Sequence, residues 1–401
     1  MTFTHTLFTT RLRAFSLLGV LIFSMQLSTA QQLSDDAEIS VITIAPGSLL
    51  LDAFGHSAIR VVDKAKRIDL AYNYGTYDFN TPNFYGKFAQ GKLLYDLDVK
   101  PFSRFANSYA AEGRSIREQV LSLTKEQKQA FFEFLENNAK PANKSYLYDF
   151  FFDNCATKIR TVGKDVLADN VEFSYKFTEG SEKTFRDLIH DYSAEHSWGT
   201  FGIDLALGSV IDRTATPEEY TFLPDYIHAT YAESTLNGKP LVKKDQYLFK
   251  ADPPSISDTP MRPLLVFSGI AVLVILLTLR DIKRAKRSRL LDFCLFFIPG
   301  LIGILILLLW FATDHSATAK NFNALWAVAP NLVVAFFLLK PSLPWWIRPY
   351  VWILVGLIDL VIILWIIQVQ VFPLALIPIL ILLSVRYLYL LYGNREHANR
   401  P

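Results

Sequence analysis

The sequence contains little cysteine, with Cys155 and Cys294 as the two examples among 401 residues. So few cysteines exclude a fold held together by several disulfide bonds. Three histidines in the polar part of the chain also lack the spacing to a neighbouring cysteine or carboxylate that is typical of a zinc site; these are His190, His196 and His228. We therefore predict no metal and no cofactor.

A large net charge is also missing. The formal net charge is +2 and the sequence pI is near 8.3, which gives no indication of nucleic-acid binding. We therefore predict no nucleic-acid partner. The basic residues are instead concentrated locally, and the largest group, at 280–289, directly follows an apolar segment.

Apolar residues are concentrated at the start and in the last third of the chain. Residues 1–30 have the pattern of a secretory signal peptide, with arginines before an apolar core and small residues at the end. From 263 onward the chain consists mostly of large apolar residues, which predicts a transmembrane domain at 263–401. The predicted spans are 264–279, 291–312, 322–339, 351–368 and 371–392.

The positive-inside rule gives the orientation of these spans. The arginine-rich loop at 280–289 is expected in the cytoplasm, and so are the basic loop at 340–348 and the tail at 395–400. We therefore predict a multi-pass protein of the inner membrane with its polar domain, 31–240, in the periplasm. Residues 241–262, which are rich in proline and charge, are predicted to be a linker.

Cys155 is the first candidate for a functional residue. It follows the aromatic run SYLYDFFF and precedes an amphipathic segment, so we expect it in the first turn of a helix, where the helix dipole stabilises a thiolate. The alternative is a buried structural cysteine. Cys294 is predicted on the other side of the membrane and cannot pair with it. An unpaired thiol in an oxidising compartment favours a functional role.

His56 is the candidate partner of this thiol. It follows Gly55 and begins an alternating segment that predicts a strand, and a second strand is predicted at 68–78. A nucleophilic thiol needs a base, which histidine provides near neutral pH. Two polar residues of the second strand, Asn73 and Asp78, are candidates to orient the imidazole.

Four motifs in combination resemble a known family. The segments GHSAIR (55–60), YNYGTYDF (72–79), YDFFFDNCAT (148–157) and FLPDY (222–226) are similar to the exported domain of the Lnb-type lipoprotein N-acyltransferases of Bacteroidota. The resemblance implies an α+β fold, with a permuted papain-like (NlpC-related) domain followed by an all-α bundle of about five transmembrane helices. It also implies that Cys155 is the nucleophile and His56 its base. The motifs do not fix the third residue, for which we rank Asn73 above Asp78. Arg60, Asp153 and Asn154 are implied as supporting residues.

The resemblance further implies an activity. Cys155 would take an acyl chain from a phospholipid as a thioester and pass it to the α-amino group of a diacylglyceryl-cysteine lipoprotein. The loop after the second predicted span, 316–320, is a candidate to line the acyl entrance. Two alternatives remain open: a papain-like cysteine hydrolase of cell-envelope peptides or lipids, and a non-catalytic membrane assembly protein.

Overall fold

The structure is a computed structural model that describes residues 31–252 and 261–393. The signal peptide predicted at 1–30 and the basic tail predicted at 395–400 lie outside the described residues. The described chain folds as a sheet-rich α+β domain followed by a helical region, as the sequence predicts.

One antiparallel sheet organises the first domain. Its strand order is β10-β5-β1-β2-β3-β4-β6, which makes seven strands within the described residues, and a small second sheet contains β7, β8 and β9. The strands are β1 (Glu38–Ile44), β2 (His56–Asp63), β3 (Ile68–Thr76), β4 (Leu94–Pro101), β5 (Ile116–Leu121), β6 (Ser145–Leu147), β7 (Val171–Glu172), β8 (Thr235–Leu236), β9 (Lys239–Pro240) and β10 (Val242–Phe249).

Helices cover both faces of the sheet. They are α1 (Phe84–Ala89), α2 (Phe102–Ala111), α3 (Lys125–Asn138), α4 (Cys155–Leu167), α5 (Phe185–Ser193), α6 (Ser197–Ala206) and α7 (Pro224–Glu233). Apolar residues of α3, α4 and α7 pack on one face, against Ile59 and Val61 of β2 among others. Phe102 and Phe105 of α2 pack on the other face, against Ala58 and Ala71. Because side chains alternate along a strand, β2 contributes to both cores.

The predicted linker at 241–262 contains a strand of the sheet. Strand β10 pairs with β5, and Arg117 of β5 binds Asp245 at 2.8 Å. The composition of β10 is typical of a linker because the strand lies at the edge of the sheet, where its lysines and aspartate remain solvated. The sheet-forming part of the chain therefore continues to Phe249, beyond the predicted boundary at 240.

The helical region has four helices that are long and apolar enough to cross a membrane, counted over the described residues. The region contains α8 (Pro263–Arg284), α9 (Arg289–Phe311), α10 (Asn331–Leu338), α11 (Ile347–Ile366) and α12 (Leu376–Leu388, which continues as a π-helix to Gly393). The third of the five predicted spans is replaced by α10, which has eight residues. Such a helix is about 12 Å long, too short for an apolar layer of about 30 Å.

The segment between α9 and α10 fixes the first domain on the helical region. Asn321 and Asn323 are fully buried, and their amides donate to the backbone carbonyls of Leu205 (2.8 Å) and Asp204 (3.0 Å) at the end of α6. Two asparagines of the membrane region thereby satisfy carbonyls that the end of a helix leaves without partners. The same segment reaches the loop before Cys155, where Ser316 Oγ donates to Asp149 Oδ2 at 2.7 Å.

Candidate active site

Cys155 is the first residue of α4, and Asn154 builds the turn that places it there. The Asn154 side-chain oxygen accepts from the backbone N–H groups of Ala156 and Thr157, both at 2.9 Å. Its amide group donates to the carbonyls of Phe150 (2.8 Å) and Phe222 (2.7 Å). With its side chain fully engaged, Asn154 acts as a helix cap and has no donor left for a substrate.

His56 lies next to this helix start and is the first residue of β2. Its Nε2 atom is 2.5 Å from Asn73 Oδ1. The imidazole also interacts with the thiol of Cys155, for which its second ring nitrogen is left. The ring also stacks on Tyr109 of α2, with centroids 5.9 Å apart. Asn73 and Tyr109 together fix the orientation of the imidazole, and Asn73 selects the tautomer with a proton on Nε2.

Electrostatics favour the charged form of this pair. Burial raises the pKa of the Cys155 thiol, but the charge and hydrogen bond of His56 and the nearby N–H groups of Ser57 and Ala156 outweigh it, so the pKa is lowered. Burial lowers the pKa of His56, and this is outweighed by the charge and hydrogen bond of Cys155 and by the bond to Asn73, so that pKa is raised. The geometry therefore favours a thiolate–imidazolium pair, the reactive form of a cysteine nucleophile.

The remaining candidate residues are bound to partners other than Cys155 and His56. Arg60 binds Asp69 at 2.8 Å and Glu118 at 3.0 Å. Asp78 accepts from the backbone of the next turn, at Asn80 N (2.8 Å). Asp153 forms an ion pair with Lys158 at 2.7 Å. The structure thus brings together Cys155, His56 and Asn73, and gives the other three structural contacts of their own.

No metal site accompanies these residues. Across 31–252 and 261–393, no three side chains of histidine, cysteine, aspartate or glutamate come together in a way that could hold a metal ion. The groups that meet at the site are a thiol, an imidazole and backbone N–H groups at a helix start, which can act as a nucleophile, a base and hydrogen-bond donors.

Comparison with known proteins places the chain in a family. Residues 24–191 match the family model of the Lnb N-terminal periplasmic domain, and residues 255–397 match that of the Lnb transmembrane domain. The chain belongs to the Lnb family. It is therefore a membrane protein of lipoprotein processing with a periplasmic N-terminal domain. Searches of curated proteins and of solved structures each returned no match.

Three residues of this Lnb protein near Cys155 are absent from the sequence-based candidates. A side chain on Gly75 would lie 3.5 Å from Cys155 Cβ and from a ring carbon of Tyr148, and 3.8 Å from the Tyr146 hydroxyl. That hydroxyl is buried and has no well-formed hydrogen bond within the described residues. Burial and the charge of Cys155 raise the pKa values of both tyrosines, so both phenols remain protonated.

The sequence carries a weak signal for these tyrosines. They alternate in the segment SYLYD, which is typical of a strand, and they lie seven and nine residues before the thiol. Their approach to Cys155 depends on the pairing of β6 with β4, where Tyr146 lies opposite Tyr95. A pairing between segments about fifty residues apart cannot be recognised from local sequence.

Proposed function

We propose that this Lnb protein is a lipoprotein N-acyltransferase of the inner membrane that uses Cys155 as its nucleophile. The contact between His56 and Asn73, beside a thiol at a helix start, carries the proposal, because it provides an activated thiolate and an oriented base. The donor would be a membrane phospholipid, and the acceptor the α-amino group of a diacylglyceryl-cysteine lipoprotein.

In the first half-reaction, the Cys155 thiolate attacks the carbonyl carbon of a phospholipid ester. A C–S bond forms and the carbonyl oxygen becomes an oxyanion; then the ester C–O bond breaks, and the lysophospholipid leaves as an alcohol after taking a proton from the His56 imidazolium. In the second half-reaction, the lipoprotein amine attacks the thioester. Neutral His56 takes a proton from the amine, and the C–S bond breaks to give an amide and the thiolate–imidazolium pair again.

The oxyanion needs hydrogen-bond donors, and two are available. The backbone N–H of Cys155 lies in the first turn of α4, where N–H groups have no partner within the helix. The Tyr146 hydroxyl is protonated and lacks a well-formed hydrogen bond within the described residues. We assign it as the second donor, because the amide of the neighbouring Asn154 is already bound.

The docking of the site on the membrane region favours lipid substrates. The contact from Ser316 to Asp149 joins the segment after α9 to the loop that leads into Cys155. Ser316 and Ala317 also line an apolar cavity of about 130 Å³ together with Phe151, Phe152 and Phe185. A hydrolase of wall peptides needs no such cavity facing a membrane segment, although the same pair of residues would serve it.

The test uses cells that lack their own N-acyltransferase and express this protein. Mass spectrometry of lipoprotein N-terminal peptides should show one added acyl chain with the natural protein and none with Cys155→Ala. Cys294→Ala is the matched control and should retain the modification, because Cys294 lies in helix α9 of the membrane region. If the natural protein leaves every lipoprotein diacylated while the purified protein releases free fatty acid, the hydrolase interpretation replaces this one.

A further inference from the structure

An exposed group of aromatic side chains extends from the site toward the membrane end of the domain. We call Tyr77, Phe79, Phe84, Tyr85 and Phe88 the aromatic ledge; Phe84, Tyr85 and Phe88 belong to α1. Their rings contact one another, with centroids 4.8 Å apart for Phe79 and Phe84 and 5.1 Å apart for Tyr77 and Phe79. Apart from the buried Phe84, the ledge residues are between 46% and 79% exposed. Exposed apolar surface of this kind marks an interaction site.

The ledge lies at the level of a membrane-helix end. The carbonyl of Gln90, the residue after α1, accepts a hydrogen bond from Asp314 N at 2.8 Å. Gly91 follows, and a side chain there would be 3.2 Å from the backbone of Asp314 and His315. Asp314 comes three residues after Phe311, the last residue of the membrane-spanning candidate α9. Helix α1 is thereby held at the membrane–water interface, where aromatic side chains are enriched.

Two basic residues accompany the ledge. Lys87 lies in α1 between Tyr85 and Phe88, and the exposed Lys92 follows the helix, with its N–H bonded to the carbonyl of Lys87 at 2.8 Å. Aromatic rings with lysines beside them are typical of a segment that lies in the interface, because the rings enter the acyl region and the ammonium groups meet phosphates.

A continuous series of rings connects the ledge to the thiol. Tyr77 contacts Tyr95 with centroids 5.3 Å apart, and Tyr95 stacks on Tyr148 at 4.4 Å. Tyr148 and the β-carbon of Cys155 each lie 3.5 Å from the position that a side chain on Gly75 would occupy, so both line the space beside that glycine. The apolar surface that begins at the interface therefore ends at the nucleophile.

We propose that the aromatic ledge inserts into the outer leaflet of the membrane and binds the acyl region of a phospholipid, which follows the ring series to Cys155. The occupant is a leaflet phospholipid because the ledge is held at the end of a spanning helix and carries lysines for the phosphate. Delivery to the thiol rests on the proposed acyltransferase function, whereas insertion into the leaflet does not.

Photo-crosslinking of the full-length protein tests the insertion. Benzoylphenylalanine is placed at Tyr85 or Phe88, and in a matched control at Lys66, an exposed residue of the β2–β3 turn. Strand β2 has eight residues and begins at His56, so its length of about 25 Å separates that turn from the site. In vesicles of phosphatidylethanolamine and phosphatidylglycerol, the ledge positions should give phospholipid adducts by mass spectrometry and the Lys66 position none. Protein adducts alone at the ledge, or equal lipid adducts at all three positions, would overturn the proposal.

A second measurement separates the ledge from the proposed function. Tyr85→Asp should lower the rate at which Cys155 becomes acylated by vesicle phospholipid about tenfold, because a charged side chain is disfavoured in the interface, and Tyr85→Phe should preserve it. If the natural protein gives lipid adducts but no acyl-enzyme, insertion of the ledge is supported and the acyltransferase function is contradicted. If the acyl-enzyme forms equally fast in Tyr85→Asp, lipid delivery by the ledge is contradicted and the acyltransferase function is supported.

Discussion

Replacing His56 with glutamine isolates the contribution of the imidazolium charge to the reactivity of Cys155. Glutamine is close to histidine in length and can still donate to Asn73, but it carries no charge. Burial raises the pKa of the thiol in the folded protein, and the charge and hydrogen bond of His56 are what outweigh it. In His56→Gln the effect of burial is opposed by the backbone N–H groups of Ser57 and Ala156 alone. We therefore expect the pKa of Cys155 to rise.

The size of the effect follows from the fraction of thiolate. A thiol with an ordinary pKa near 8.5 is about 3% ionised at pH 7, and burial in the variant lowers this fraction further. If the natural thiol is mostly ionised, it provides about 30 times more nucleophile. A less basic thiolate is intrinsically slower, which offsets part of this gain. The net expectation is alkylation of Cys155 that is about tenfold slower in His56→Gln at pH 7.

The assay is the rate of iodoacetamide alkylation of the full-length protein as a function of pH. Both proteins carry Cys294→Ser, so that Cys155 is the one thiol followed. The alkylation rate of the protein that retains His56 should reach half its maximum at a lower pH than that of the His56→Gln variant, because its thiol pKa is lowered. Coincident pH profiles, or a faster variant, would refute the assignment of His56 as the charge that activates Cys155.

Four further outcomes are expected. Acyl transfer should be bell-shaped in pH: it appears as pH rises through the lowered pKa of Cys155 and declines as pH rises through the raised pKa of His56, measured as kcat/KM. Asn73→Ala should slow acyl transfer about 10- to 100-fold, because it removes a bond to a charged imidazole, and Asn73→Asp should retain more activity. Tyr146→Phe should lower kcat about 100-fold, with alkylation of Cys155 unchanged, if its hydroxyl holds the oxyanion. Gln246→Pro in β10 should lower the thermal midpoint of the periplasmic domain by a few degrees relative to Gln246→Ala, whereas a linker at this position would give equal midpoints.

The local elements around the site could be predicted because their signals are short-range. The strand predicted after Gly55 is β2, and the helix predicted to begin at Cys155 is α4. The contact between His56 and Asn73, by contrast, depends on the register in which β2 and β3 pair. Arg60 lies opposite Ala71, so residues 56 and 60 of β2 share a face with residues 71 and 73 of β3. Asp78 lies beyond the end of β3 at Thr76, where this register no longer holds.

Two features could not be predicted from pattern alone. Strand β10 has the composition of a linker because both its flanking context and its exposed face are polar, and pairing with β5 is what makes it a strand. The apolar segment at 322–339 has the composition of a membrane span, but only Asn331–Leu338 is α-helical in it. A side chain on Gly300 of α9 would clash with the backbone of Leu332, so the start of α10 lies directly against α9.

The surroundings of the thiol support the proposed transfer over the alternative of hydrolysis. Cys155 is 9% exposed, and His56 lies between Asn73 and the rings of Phe105 and Tyr109. A thioester formed in such a place meets little water, and it reacts faster with an amine than an oxygen ester would. Burying an ion pair is costly because both ions lose their hydration, so a pair kept in this place points to a use in a reaction. An acceptor amine held at the membrane surface, close to the buried thioester, would react with it while bulk water stays outside, and this transfer would regenerate the pair.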